Sequence, residues 1–211
     1  MRADKQLAST AGRRERRRAE TREKLYRAAM QLFAERGFFE TTTEAITEAA
    51  DVGQGTFFNY FPTKPHVLTV LSEKQMGKIM AAGYEAEAGQ LSIQEVLHRL
   101  MHVIAKEPGQ SPPLTRSLLT AMVSSETVRK FIGDTLARAR KDLGRIIKLG
   151  QRRGEIRGDC KPAELATAFQ RSVLGTLLLW AMQPRGELSP RLEAAFRDFW
   201  AAAALTKGRA R

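Results

Sequence analysis

Apolar positions recur at three- and four-residue spacing from Thr21 onward. Leu25, Ala28, Ala29, Leu32 and Phe33 form one stripe, predicting a helix that ends at Gly37, a natural left-handed terminator. The next stretch, "TTTEAITEAA", predicts a second, shorter helix. Thr41 and Glu44 match a capping box, with Thr42 an alternative cap, and Ala45, Ile46, Ala49 and Ala50 make its stripe. "DVGQG" breaks the pattern as a turn. A third helix of about two turns is predicted from Gln54 to Phe61 and stopped by Pro62; "PTKP" then opens a further helix with Thr63 as cap.

Longer helices are predicted beyond this point: about 64–87, 92–106, 114–123, 126–153, 162–182 and 190–205. Ser124 or Ser125 caps the fourth of these and Ser189 the last; "EPGQSPP" and "RGEIRGDCKP" read as loops. No segment alternates as a strand would. The expected fold is all-α with roughly nine helices, divided into a disordered basic arm (1–19), a helix-turn-helix domain (20–66) and a C-terminal helical domain (67–211).

Charge changes this picture. The chain carries +12, and residues 1–30 hold ten Lys/Arg against four acids, a net +6 and so half the total. That excess favours an anionic partner, nucleic acid first. Arg13, Arg14, Arg16, Arg17 and Arg18 are either a minor-groove arm or a solvated tail. No run reaches 18 uninterrupted apolar residues, so no membrane span is expected, and the basic arm has no apolar face, so no membrane partner is expected. A single cysteine, Cys160, excludes an internal disulfide framework and suits a reducing cytoplasm. No nucleophilic triad, phosphate-cradling glycine loop or paired carboxylates emerge, which argues against an enzyme, and no cofactor is implied.

Two short helices joined by a glycine-containing turn suggest a helix-turn-helix, whose second helix enters the DNA major groove. Phe57 and Phe61, four apart, share the core-facing side. Gln54, Thr56, Asn59 and Tyr60 point elsewhere. Gln and Asn can pair bidentately with adenine, and a threonine methyl can touch thymine. Gly55 permits close backbone approach, and Lys64 can meet phosphate as a point charge.

"REKLYRAAMQLFAERGF", "TTTEAITEAADVGQGTFFNYFPTK" and "PHVL" together resemble the TetR family of transcriptional regulators, from about Thr21 to Leu71. The shared pattern is a helix ending in Gly-aromatic, then Thr-Thr, the turn, the aromatic-rich helix and a Thr-Lys. Thr47, Asp51, Gly53 and Phe58 depart from it, replacing Ala, Gly, Ser and Tyr. Asp51 tolerates the left-handed turn conformation better than most residues. The resemblance implies a DNA-facing set of Thr42, Thr43, Gln54, Gly55, Thr56, Phe58, Asn59, Tyr60 and Lys64. It implies a repressor released from a palindromic double-stranded operator by a small-molecule effector.

The C-terminal part is read more coarsely. "SVLGTLLLWAM" is apolar nearly all round and needs burial on more than one side. With the last helix it suits a four-helix homodimer interface using Leu174, Leu177, Leu178, Phe196 and Trp200. The resemblance implies the same dimer, and an effector pocket for which Met76, Met80, Leu100, Met101, Leu118 and Met122 are candidates. His98 and His102, four apart on one face, lack a third ligand nearby in sequence and are read as polar surface or pocket groups, not a metal site. Arg138, Lys141, Arg145, Lys148 and Arg152 form a basic stripe, read as a solvated face or an anion contact.

Overall fold

The computed structural model describes residues 2–205, with side chains from Arg13 onward. Eight α-helices follow in order: α1 (Arg2–Arg36), α2 (Thr43–Ala49), α3 (Leu68–Ala88), α4 (Ile93–Lys106), α5 (Pro112–Ser124), α6 (Glu126–Arg152), α7 (Pro162–Met182) and α8 (Leu188–Ala203). Two short 3₁₀ helices, Gln54–Asn59 and Lys64–Val67, lie between α2 and α3. The described residues hold no strand. A lone antiparallel bridge, Ile156 to Ala204, ties the loop after α6 to the end of α8.

α1 is longer than its apolar stripe. The arm expected to be disordered over 1–19 is instead helical from Arg2, Met1 lying outside the described residues. Ala, Arg, Glu, Lys and Gln dominate this stretch and favour helix intrinsically. The helix therefore continues past the last residue that has a core to bury, and Arg13 to Glu20 are exposed on all sides.

Local signals explain most boundaries. Gly37 ends α1 at φ +89°, its N–H donating to Phe33 O at 3.1 Å. Thr42, not Thr41, caps α2, accepting from Ala45 N at 3.1 Å; Thr41 instead donates to Gly37 O at 2.8 Å. Asp51 takes the left-handed turn position at φ 52°. Ser92 and Glu95 form a full capping box on α4, and Ser125 caps α6. α8 begins at Leu188 rather than at Pro190, so Ser189 lies inside it and Glu187 precedes it.

The third helix is the main local departure. Two α-helical turns were expected from Gln54 to Phe61, but the segment is a 3₁₀ helix over Gln54–Asn59. Gly53 stands at its cap position and has no side chain to accept an N–H. Nothing at the N-terminus therefore secures the wider α turn, and the tighter i→i+3 pattern takes its place.

Lys64 holds this region together. Its Nζ donates to three backbone carbonyls, Phe38 O at 2.7 Å, Phe39 O at 3.1 Å and Thr41 O at 2.7 Å, and lies 4.8 Å from the centre of the Phe38 ring. Burial pushes its pKa down, partly opposed by Glu40. An ammonium has three hydrogens, and all are committed to the chain between α1 and α2. The phosphate-contact role expected of Lys64 is therefore corrected: it is a staple between the start of α3 and the end of α1.

Two apolar cores result. One gathers Leu25, Leu32, Phe33, Phe38, Ile46, Phe57 and Phe61 with Val67, Leu68 and Leu71 of the next segment, and with Leu114, Leu118 and Ala121 of α5. The other joins α3, α4, α6, α7 and α8 around Leu97, Met101, Leu143, Ile147, Phe169 and Phe196. Ion pairs cross between the layers. Arg22 meets Glu73 through two hydrogen bonds of 2.7 and 2.8 Å; Lys74 reaches Glu23 at 2.9 Å and Glu107 at 3.4 Å. Partly exposed pairs contribute little stability singly, so they set register rather than hold the layers.

Lys64→Met removes the donors and leaves the three carbonyls short of partners. We expect a loss of about 1–3 kcal/mol of unfolding free energy in urea titration. An unchanged urea midpoint would show that the staple carries no stability.

Candidate nucleic-acid interface and ligand cavity

The 3₁₀ segment owes its position to two rings. Phe57 and Phe61 are 0% and 1% exposed, with ring centres 5.6 Å apart, and they fix which side of the segment faces out. Gln54, Gly55 and Asn59 lie exposed; Thr56 and Tyr60 are half-buried. Phe58 is 59% exposed, its ring edge against Phe57. At the start of α2, Thr42 is exposed but its hydroxyl serves as cap, while Thr43 donates to Glu44 at 3.2 Å. Thr47 buries its hydroxyl by donating to Glu44 O at 2.8 Å, so this departure from the usual alanine costs no unpaired group. Arg13, Arg14, Arg16, Arg17 and Arg18 project from the same helix, α1, that carries the core stripe.

A cavity of about 160 Å³ lies between α3, α5, α6 and α7. Leu68, Leu71, Ile79, Leu118, Leu119, Met122, Ile132, Leu136, Leu143, Val173, Leu174 and Leu177 line it, with Ser72, Gln75, Thr115, Thr135 and Gln170 the polar members. Among the described residues no charged side chain lines it. Gln75 donates to Ile104 O at 3.0 Å, but its Oε1 is buried without a partner, as is Ser72 Oγ. Of the expected pocket residues, only Leu118 and Met122 line this space. Leu100 and Met101 are buried in the second core, Met76 packs against it, and Met80 is 52% exposed. A helical stripe tells which residues are inside, not which of two neighbouring spaces they face. Ser72, Gln75, Thr135 and Gln170 were missed because polar residues within an apolar stripe read as ordinary helix surface.

The expected dimer residues divide. Leu177 and Phe196 are buried within the chain itself, at 4% exposure each, and Leu174 faces the cavity. Leu177 and Phe196 are therefore corrected to internal roles. α7 has two sides to satisfy, and the inner one takes them. Leu178 is exposed and Trp200 is half-buried, stacked on Phe196. Leu179 and Met182 join Leu178 as exposed apolar residues on α7.

Comparison with known proteins matches this arrangement. Residues 25–69 fit the family model of bacterial regulatory proteins of the tetR family. The HTH-type transcriptional repressor KstR of Mycobacterium tuberculosis is 28% identical over 145 residues, 65% of this chain and 63% of KstR, so under two thirds of that relative is spanned. The HTH-type transcriptional regulator TcmR of Streptomyces glaucescens is 29% identical over 164 residues, covering 75% of this chain and 72% of TcmR. Among solved structures, FadR of Thermus thermophilus, a TetR-family repressor in complex with lauroyl-CoA, is 28% identical, covers 90% of this chain and 98% of its own, and superposes with a TM-score of 0.63. These relatives are regulators, not enzymes. With its helix-turn-helix matching that family model over residues 25–69 and its all-helical body, the chain is similar to the TetR family of bacterial regulatory proteins.

Proposed function

We propose that this protein is a dimeric, sequence-specific DNA-binding repressor, released from a palindromic operator when an apolar ligand bearing an acyl-like chain enters the cavity. One observation carries the reading. Leu68, Leu71 and Leu118 line the cavity and also belong to the core that seats Phe57 and Phe61 beneath the recognition segment. One wall serves both sites, so a ligand that moves it acts on the segment directly.

The cavity's chemistry indicates the ligand class. An uncharged, apolar lining accepts hydrocarbon and would penalise a buried carboxylate or phosphate. A charged headgroup must therefore remain outside. The free acceptor on Gln75 and the free hydroxyl of Ser72 suit a ligand with one hydrogen-bonding group along its length. FadR of Thermus thermophilus is described with lauroyl-CoA, a ligand of this kind. A dry cavity of about 150 Å³ holds a benzene-sized molecule. A long acyl chain is larger, so binding must push α3, α5 and α6 apart, and that work is done on the shared wall.

On the DNA side, Gln54 and Asn59 supply base-edge hydrogen bonds, Thr56 and Tyr60 flank them, and the arginines of the α1 extension meet the backbone or minor groove. Two copies of the segment read two half-sites. Leu178, Leu179 and Met182 with Trp200 supply the apolar surface for pairing α7 and α8 of two copies.

Gln54→Ala and Asn59→Ala should each relax base preference at one operator position by about 1–3 kcal/mol, read by competition binding against single-base variants of a site footprinted upstream of the encoding gene. Uniform weakening on every sequence would contradict base reading. Deleting residues 1–18 should flatten the slope of log affinity against log salt, because each lost phosphate contact removes about 0.9 from it; an unchanged slope would remove the arm from the interface. Lauroyl-CoA should raise the melting temperature and release DNA, and Val173→Trp, which fills the cavity, should abolish both effects. Release that survives in V173W would place the effector elsewhere.

A further inference from the structure

Two of the chain's three histidines converge on a single acid that sequence distance hides. His98 and His102 are one turn apart on α4, and Glu193 lies on α8, which packs beside it. His98 Nε2 lies 3.0 and 2.9 Å from the two carboxylate oxygens of Glu193. His102 Nε2 lies 2.9 Å from Glu193 Oε1. That contact is close enough but too oblique to be a hydrogen bond, so the nitrogen is shielded from solvent and left without a partner. The donor atoms of all three residues lie within 4.8 Å of one another.

We propose that His98, His102 and Glu193 form a site for a divalent transition-metal ion of the zinc class, clipping α4 to α8. Neutral imidazole nitrogens and a carboxylate oxygen are zinc ligands with bonds of about 2.0–2.2 Å, and tetrahedral geometry then sets ligand atoms about 3.3 Å apart. The histidine–carboxylate contacts of 2.9–3.0 Å open slightly to reach that value, and the two imidazole nitrogens, within 4.8 Å of each other, adjust by at most about 1.5 Å. An ion at the centre would give His102 Nε2 the partner it lacks. It would also take the place of a proton shared between His98 and the carboxylate. Packing prepares the site. The His98 ring is edge-on to Phe196 with centres 4.9 Å apart, and the two imidazole centres are 5.0 Å apart. Glu193 is half-exposed, which leaves an entry path and a fourth position for water. Arg99, beside His98 in sequence, is directed away to Glu85 at 3.7 Å, so it does not occupy the site with a like charge.

The site is independent of the DNA and ligand reading above. Its distinguishing demand is that the ion binds these three side chains and no other histidine. The third histidine, His66, is engaged by Thr63 Oγ1 at 2.7 Å and lies on the segment leading into α3, making it a control.

The test uses the tag-free, full-length chain stripped with chelator, titrated with Zn²⁺ alone by calorimetry and with Co²⁺ alone by visible absorption. We expect one ion per chain, a Co²⁺ ligand-field band, and a rise in melting temperature on Zn²⁺ addition. His98→Ala and His102→Ala should each lose the band and the thermal rise. Glu193→Gln, which keeps the side chain's shape, should weaken Zn²⁺ at least about tenfold, and His66→Ala should leave binding unchanged. Failure of the wild-type chain to bind Zn²⁺ at micromolar concentration, or binding that survives in the H98A/H102A double variant, would overturn the proposal.

Discussion

A segment of six residues in 3₁₀ form cannot hold itself, and the DNA-reading role proposed for it rests on the burial of Phe57 and Phe61 beneath it. Isolated helices of this length are unstable in water, and 3₁₀ geometry is weaker still. Truncating one buried phenylalanine costs about 3–5 kcal/mol. That is comparable with much of the total stability of a domain, which is about 5–15 kcal/mol. The segment's orientation is therefore a property of the core that receives the two rings. Lys64 secures the same core from its rim by tying the chain after α1 to the chain before α3.

That core is not confined to α1, α2 and the 3₁₀ segment. α5 contributes Leu114, Leu118 and Ala121 to it, and the first turns of α3 contribute Leu68 and Leu71. A boundary drawn at residue 67 therefore passes through a single packed cluster. Close-packed interiors transmit displacement because they have few voids to absorb it. The exception here is the cavity, where α3, α5, α6 and α7 leave room, and its wall includes three of the same leucines, Leu68, Leu71 and Leu118. Ligand control in this account needs no long-range pathway. It follows from placing the compressible space directly behind the surface that supports the recognition segment.

Much of this was legible in the sequence, for a physical reason. Helical periodicity and caps depend on neighbours three and four residues away, so α4 with its Ser92–Glu95 box, α7 over its full length, and the inward-facing Phe57 and Phe61 all followed from local pattern. What depended on packing between distant helices did not. Lys64 looked like a phosphate contact because nothing local shows that three carbonyls converge on it. Leu177 and Phe196 looked like dimer residues because an all-apolar helix does not reveal which side its own chain covers. Gln75 and Ser72 in the cavity, and Glu193 beside the two histidines, were invisible for the same reason. The α1 extension failed differently: without an apolar stripe it read as disordered, although its residues favour helix on intrinsic propensity alone.

The shared wall can be examined without knowing the operator. Amide hydrogen exchange over residues 54–61, measured with and without saturating lauroyl-CoA, reports whether the space behind the wall and the segment in front of it move together. The account predicts that protection at Phe57 to Phe61 changes when the ligand binds. Ligand binding within the cavity that leaves exchange across the segment unaltered would contradict it.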